Sequence, residues 1–439
     1  MRSSMPRIAL VLAGGGARGA YEAGVVRYLR EELPSGLSGH ASLDIVCGTS
    51  VGAINACFLA ATAHSPGSQG QLLSEIWTGL SLEDVYKVRG EDLWTLTRKM
   101  WRAATNEPLR PEGWRLYDIL HPELLETLVR ERTDWSRIGR NISEGHLSAL
   151  AVTATEISSG RSVVFVQRRG GGIPAWNHPP HTEPRETAIG PDHALASAAI
   201  PMLFRSVKLG DEWFCDGSLR QSVPLAPALR LGADKVLLVS LRHRPGAPRA
   251  QNTLSTYPTT PLLMGKVLNA LMLDSTDSDL ERLRRTNQML EAGRLTFGED
   301  FLPRLNEAVQ QLRGQPYRIV EDLVLRPSRD LASIASTHAR KRGLSAEAAT
   351  ALPTKLLHRV ARSQLVTEAD LASYLLFDGA YATDLIQLGM EDAHAQREAL
   401  VRFFTEPPAK PRPSRRRAPA VRPRGRRRGA KGGNPPASG

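Results

Sequence analysis

Cysteine is scarce in this sequence: Cys47, Cys57 and Cys215 are the only three in 439 residues. Three are too few for a disulfide framework and one is left unpaired. None stands in C-x-x-C spacing, so a structural zinc site is not expected. The expectation is three small buried hydrophobes in a reducing compartment. Long apolar runs are also missing. The longest, 51–63, covers 13 residues and contains Asn55, short of the roughly 20 needed to cross a bilayer. The first seven residues lack the apolar core of a signal peptide. A cytoplasmic location is therefore expected. The aspartates Asp274, Asp277 and Asp279 lack the glycine and spacing of an EF-hand, so calcium dependence is not indicated.

Acidic residues are absent from the last stretch, 407–439, which holds 11 Lys and Arg and eight prolines. The whole chain carries a formal +12, so nearly all of the excess sits there. With almost no large apolar side chain, this Arg/Pro-rich segment is expected to be a disordered basic tail. It would attract phosphates, whether anionic lipid headgroups or nucleic acid. A solvated tail without a specific partner is the alternative. It has no aromatics for base stacking, which disfavours specific single-strand recognition. The whole chain is 41% hydrophobic, which with its glycines is ordinary for a globular protein.

What the chain does have is a repeated α/β pattern. Residues 8–13 (IALVLA) read as a short buried strand, 14–19 (GGGARG) as a glycine turn, and 20–32 as a helix. Residues 43–47 (LDIVC) give a second strand, 48–52 (GTSVG) a tight turn, and 51–63 an apolar helix. Strand, turn and helix, twice over, imply a parallel sheet. Further strands are expected near 149–154, 162–167, 213–215, 235–241 and 318–325, and helices near 194–199, 264–290 and 331–341. Residues 71–145 read as mostly helical, 168–185 as a Gly/Pro/His-rich loop, and 344–404 as helices only.

GTSVG fits the G-x-S-x-G nucleophile elbow with Ser50 at its centre, entered from a strand and left through a helix. Gly48 and Gly52 supply turn freedom and close packing. The N-terminus of the following helix favours negative charge developing at Ser50. A serine N-cap in a tight turn is the structural alternative. GGGARG also fits a dinucleotide fingerprint through Gly14, Gly16 and Gly19. That reading needs an acid at the end of the second strand, and Asp44 opens the strand instead. No lysine follows the last glycine, which excludes a Walker A loop. An anion nest of successive amides remains, with Arg18 adding positive charge, and an acyl-transfer serine needs such a nest for its oxyanion. A turn required only for packing is the other reading.

The serine needs a base. Only 49 residues precede Ser50, too few for the usual α/β-hydrolase order. His243, His338, His358 and His394 have no motif around them. Asp216 stands out in EWFCDGS, closing a short strand before Gly217. In a parallel sheet the strand ends share one edge, so Asp216 and Ser50 are expected to meet there, with Asp44 and Asp211 at the other. Asp378 also precedes a glycine but lies in a helical stretch and reads as structural. A helix at 92–104, with Trp94 and Trp101 two turns apart beside Arg98, Lys99 and Arg102, reads as a cap helix or an interfacial one.

Together, GGGARGAYEAGVV, GTSVGAINA and Asp216-Gly217 resemble the patatin-like phospholipases. ALASAAIPMLF (194–204) and GADKVLLVS (232–240) add to the likeness, which is firm over 7–242; LRPSRDL and SYLLFDGAYATDLIQLG add less specific similarity further on. The resemblance implies a three-layer α/β/α catalytic domain over 6–330 with a mostly parallel sheet, followed by a helical C-terminal region (331–406) and the tail. It implies Ser50 as nucleophile and Asp216 as general base of a dyad, with Gly14, Gly15, Gly16 and Arg18 forming or supporting the oxyanion hole. The implied reaction is hydrolysis of a phospholipid or lysophospholipid ester through an acyl-enzyme, with no metal or cofactor. The tail would add peripheral contact with anionic membrane. One departure stands out: the family usually reads Asp-Gly-Gly or Asp-Gly-Ala, and here Ser218 follows Gly217. A non-catalytic binder of anionic lipid or nucleic acid, using the glycine nest and the tail, is the rival function.

Overall fold

The computed structural model describes residues 6–34, 42–81, 123–173, 181–201, 203–243, 263, 266–270, 275–313, 316–341 and 369–407. The helix expected at 92–104, Asp274, His358 and the tail from residue 408 onward lie outside the described residues.

The strands are β1 (Ile8–Leu12), β2 (Ile45–Thr49), β3 (Ala149–Glu156), β4 (Ser162–Arg168), β5 (Thr182–Glu186), β6 (Val207–Leu209), β7 (Glu212–Asp216), β8 (Lys235–Val239) and β9 (Glu321–Leu325). They form one sheet in the order β5-β4-β3-β2-β1-β8-β9, with β7 also paired to β3 and β6 to β7. Pairings along β3-β2-β1-β8-β9 are parallel. The runs IALVL, IVCGT and KVLLV are buried throughout, as central parallel strands covered on both faces must be.

The helices are α1 (Ala20–Arg27), α2 (Val51–Ala61), α3 (Gln69–Thr78), α4 (Glu123–Arg132), α5 (Trp135–Glu144), α6 (Pro191–Ser197), α7 (Leu225–Arg230), α8 (Ser275–Phe297), α9 (Phe301–Arg313), α10 (Leu331–Lys341), α11 (Ala369–Leu375), α12 (Gly379–Ala395) and α13 (Arg397–Thr405). They lie on both sides of the mostly parallel sheet, and the C-terminal ones form a helical region. That region is packed against the N-terminal half: α12 lies along α1, where the Tyr21 hydroxyl donates to Asp392 at 3.1 Å. Residues Met1–Pro408 form one compact unit. Asp378 caps α12, accepting from the amides of Ala380 and Tyr381, which is the structural role its sequence context indicates. The three cysteines are buried and unpaired. Among the described residues no helix is long and apolar enough to cross a membrane.

Two expectations are corrected. The stretch 168–185 is not all loop, because Thr182–Glu186 pairs in parallel with β4 as an edge strand. TEPRE has no apolar alternation to reveal it, and an edge strand needs little. The strand carrying Asp216 does not run with the parallel set either. It is antiparallel to β3, with Asp216 opposite Ala154 and Phe214 opposite Glu156. It therefore enters from beyond the carboxyl edge of the sheet and stops at the level of Ser50. Asp211, in the turn before β7, lies outboard of that same edge rather than at the other. Asp44 does occupy the opposite edge, where it accepts from the Ile8 amide at 2.8 Å.

Candidate active site

Ser50 stands between β2 and α2. It is the one non-glycine residue with positive φ among the described residues, at 55°. A non-glycine residue there stores backbone strain, and such strain concentrates at functional sites. Ser50 is the N-cap of α2, yet its side chain makes no capping bond. Its Oγ donates instead to Asp216 Oδ2 at 2.6 Å, which removes the simple N-cap explanation. The strained turn is held from below: the Ser50 amide donates to Ser197 Oγ at 2.9 Å, and Ser197 Oγ donates to the Thr153 carbonyl at 2.6 Å.

Asp216 is fully buried. Its Oδ1 accepts from the Ser218 amide at 2.7 Å, and its own carbonyl accepts from Thr155 Oγ1 at 3.0 Å. Burial raises its carboxyl to about 6, opposed by the donors Ser50 Oγ and Ser218 N, which favour the charged form. Close approach fixes the neighbouring glycines. A Cβ on Gly48 would stand 2.2 Å from the Gly52 carbonyl, on Gly52 2.6 Å from the Leu12 carbonyl, and on Gly217 2.1 Å from the Thr153 carbonyl.

The glycine turn lies directly against this pair. A Cβ on Gly14 would meet Ser218 Oγ at 2.2 Å and Ser50 Cβ at 3.0 Å. Gly16 has φ 56° and opens a short 3-10 helix, Gly16–Gly19. Two members of the expected anion site are placed differently from the sequence reading. The Gly14 amide is already engaged, donating to the Ser222 carbonyl at 3.0 Å. The Arg18 guanidinium turns away toward α11. Its Nε donates to Ser373 Oγ at 2.8 Å, it lies over the Tyr374 ring at 3.9 Å, and it pairs with Asp370 at 3.9 Å. Arg18 thus anchors the turn from behind rather than facing the serine. Gly15 and Gly16 remain as the turn's amide candidates.

An apolar pocket opens beside Ser50. One face of α2 lines it with Val51, Ile54 and Phe58, opposite Leu73 and Trp77 of α3 and Val129 of α4. From Ser50 to Phe58 the helix rises about 12 Å. Asn55 also lines the pocket; its Nδ2 donates to Glu22 Oε2 at 2.8 Å, and Trp77 Nε1 donates to its Oδ1 at 3.2 Å. Burial pushes the Glu22 carboxyl up to about 8, against the lowering effect of Asn55 and the Ala13 amide. The sequence reading missed Ser197, Glu22, Asn55 and Ser222. Ser197, Glu22 and Asn55 lie within family-like segments, but nothing in their spacing marks them. The histidines weighed as bases are used elsewhere: His243 at the Pro327 carbonyl, His338 at Asp384, His394 at Tyr28.

Comparison with known proteins bears on these features. The family profile described as patatin-like phospholipase matches residues 10–229. Similar solved structures include VipD from Legionella pneumophila, at 12% identity over 85% of this chain and 92% of that one, TM-score 0.31. They also include the heterodimeric ExoU–SpcU complex of the Pseudomonas aeruginosa type III secretion system, at 17% identity over 85% and 75%, TM-score 0.27. No curated protein sequence matches.

Proposed function

This chain belongs to the patatin-like phospholipase family, and on that premise we propose that it is a serine lipid acyl hydrolase of phospholipase A or lysophospholipase type. Membership supports lipid hydrolysis in general. The finer reading assigns Ser50 as nucleophile and Asp216 as general base. The observation that carries it is the 2.6 Å bond from Ser50 Oγ to a buried carboxylate, made by a serine on a strained elbow beside an apolar pocket.

The chemistry follows from that geometry. Asp216 takes the Ser50 proton as Oγ attacks the ester carbonyl. The tetrahedral oxyanion faces the Gly15–Gly16 turn and the N-terminal end of α2, whose amides and dipole favour negative charge. Asp216 then gives the proton to the leaving alcohol, and the acyl group stays on Ser50. Water gives a proton to Asp216 as its oxygen bonds to the acyl carbon, and Asp216 returns that proton to Ser50 Oγ as the fatty acid leaves. A lone carboxylate is a weak base for a hydroxyl, and its raised basicity brings it closer to the working range. The apolar pocket along α2 receives the acyl chain and excludes water from the ester.

The test is labelling with a fluorophosphonate, wild type beside Ser50→Ala and Asp216→Ala, with mass spectrometry of the modified peptide. The reading expects an adduct on Ser50 that depends on Asp216. Folded wild-type protein that takes no label, while still binding lipid, would point to the non-catalytic binder instead.

A further inference from the structure

The glycine turn has almost nothing of its own to hold it in place. From Ala13 to Ala20 the sequence reads AGGGARGA, and Arg18 is the one side chain there longer than a methyl. Glycine is the most freely rotating residue of a chain, whereas donors for an oxyanion must be fixed before the reaction begins. The Gly15 and Gly16 amides therefore need an anchor from outside the turn.

That anchor is α11, some 350 residues further along the chain and beyond the segment 10–229 that the family profile matches. Arg18 connects the two. Its amide closes the turn by donating to the Gly15 carbonyl at 3.2 Å, and its side chain, 3% exposed, runs to α11. There Ser373 Oγ accepts from Arg18 Nε at 2.8 Å and donates to the Asp370 carbonyl at 2.6 Å. This fully buried hydroxyl is thus acceptor and donor at once. Tyr374 touches the turn twice. Its ring lies against the guanidinium at 3.9 Å, and its carbonyl abuts Gly16, where a Cβ would stand 2.5 Å from the oxygen. Asn269 Oδ1 accepts from the Tyr374 hydroxyl at 2.8 Å and from Arg18 Nη2 at 3.4 Å. Asp370, paired with Arg18 at 3.9 Å, is itself held by Lys266 at 2.8 Å.

We propose that Ser373 is a positioning residue for the oxyanion site: through Arg18 it sets the Gly15 and Gly16 amides against Ser50, and α11 thereby belongs to the catalytic unit. The proposal rests on the acyl-hydrolase reading above, in which those amides face the oxyanion. Ser373 itself touches no reacting atom. Without its hydroxyl, Arg18 Nε loses that acceptor in a buried site, which is costly. The guanidinium then shifts toward another acceptor and draws the Arg18 backbone and the turn with it. A bound ester, held by the apolar pocket, barely senses this, but the developing oxyanion does. The loss falls on kcat and leaves KM nearly unchanged.

The experiment uses the full chain with Ser373→Ala, Arg18→Met and the double variant. Arg18→Met keeps most of the buried volume and removes the donors. Two probes are used. One is a chromogenic butyryl ester, short enough to make little use of the pocket. The other is a butyryl-length trifluoromethyl ketone. Ser50 Oγ adds to its carbonyl carbon, the serine proton passes to Asp216, and the alkoxide formed sits where the ester's oxyanion would.

Ser373→Ala should lower kcat by about 10- to 100-fold, the effect of a misplacement of about 1 Å, with KM within about twofold. It should weaken the ketone by the same factor. Because Ser373 acts through Arg18, the double variant should lose no more than Arg18→Met alone, whereas independent sites would multiply their losses. A folded Ser373→Ala with wild-type kcat overturns the proposal, even if it melts lower, because that is the mark of a purely structural role. A fall in kcat with ketone affinity intact overturns it too, as do multiplying losses in the double variant. Where Arg18→Met does not fold, kcat and ketone affinity of Ser373→Ala decide. Wild-type protein that neither turns over the ester nor takes the ketone on Ser50 defeats the acyl-hydrolase reading and this proposal with it. An active wild type with an unaffected Ser373→Ala defeats this proposal alone.

Discussion

Ser50 and Asp216 meet across strands that run in opposite senses. The serine leaves the carboxyl end of a parallel strand, and the aspartate closes a strand that comes in antiparallel to β3 and stops opposite Ala154. The two side chains are 2.6 Å apart with a fully buried carboxylate between the sheet and the glycine turn. Each half of the arrangement is unfavourable alone: positive φ at Ser50 and a buried acid at Asp216. Together they hold a hydroxyl and a carboxylate in contact, as the proposed nucleophile and base require.

In the proposed dyad Asp216 must be ionised to act. Activity should therefore fall as pH drops through about 6, the value to which burial raises Asp216. Asp216→Asn should lower kcat by about 10²- to 10⁴-fold, the usual worth of a general base. The same raised value costs stability: it is lost as pH rises from the unfolded carboxyl's range through about 6, and stays lost above. Asp216→Asn should thus melt no lower than wild type at neutral pH. An Asp216→Asn enzyme with near wild-type turnover would remove the aspartate from the chemistry.

The elbow was legible because its requirements are local. Gly48, Ser50 and Gly52 fall within five residues of a strand–turn–helix, and turn chemistry writes itself into such segments. Asp216 was legible as an aspartate before a glycine at a strand end, but the direction of its strand was not. That direction is set by pairing with residues 154–156, some 60 positions earlier, which no local pattern records. Arg18 shows the same limit. Beside three glycines it reads as a positive charge for an anion, yet its partners Ser373 and Asp370 lie about 350 residues away. The edge strand β5 carries no apolar alternation, so composition read it as loop.

Chain-length preference should follow the pocket along α2. Ile54 lies one helical turn beyond Ser50 on the lining face and is only partly buried, so a larger side chain there can be accommodated by the fold. Ile54→Trp should reduce kcat/KM for long-chain esters by about tenfold or more while sparing acetyl and butyryl esters. An equal loss for short and long esters would show that the acyl chain takes another route.

Glu22 should make stability fall as pH rises. Its buried carboxyl is raised from 4.5 to about 8, so the unfolded chain gives up its proton first, and stability declines across that window. Glu22→Gln keeps the shape, and its amide oxygen can still accept from Asn55. At pH 7 it should stabilise on the order of 3 kcal/mol, with the advantage disappearing below the ordinary glutamate range. Denaturant titrations of both proteins at several pH values measure this. Parallel stability–pH curves would mean that Glu22 is hydrated in the folded chain and ionises there as it does in the unfolded one.

Lys235 should matter for stability and not for chemistry. It is fully buried at the start of β8, level with Ile8, at the sheet edge opposite Ser50. Its Nζ donates to the carbonyls of Phe403 and Glu406 at 2.7 and 2.6 Å and pairs with Glu321 at 3.2 Å. It therefore caps the end of α13 and ties that helix to the sheet. Lys235→Met fills the same volume but leaves the Phe403 and Glu406 carbonyls without the Lys235 donor. The expected cost is about 2–4 kcal/mol, read as a lower urea midpoint. The folded fraction should keep wild-type kcat/KM, because no partner of Lys235 touches the dyad, the glycine turn or the pocket. A loss of kcat/KM larger than the loss of folded protein would show that the α13 anchor reaches the site, and would make the C-terminal region part of the catalytic machinery rather than its support.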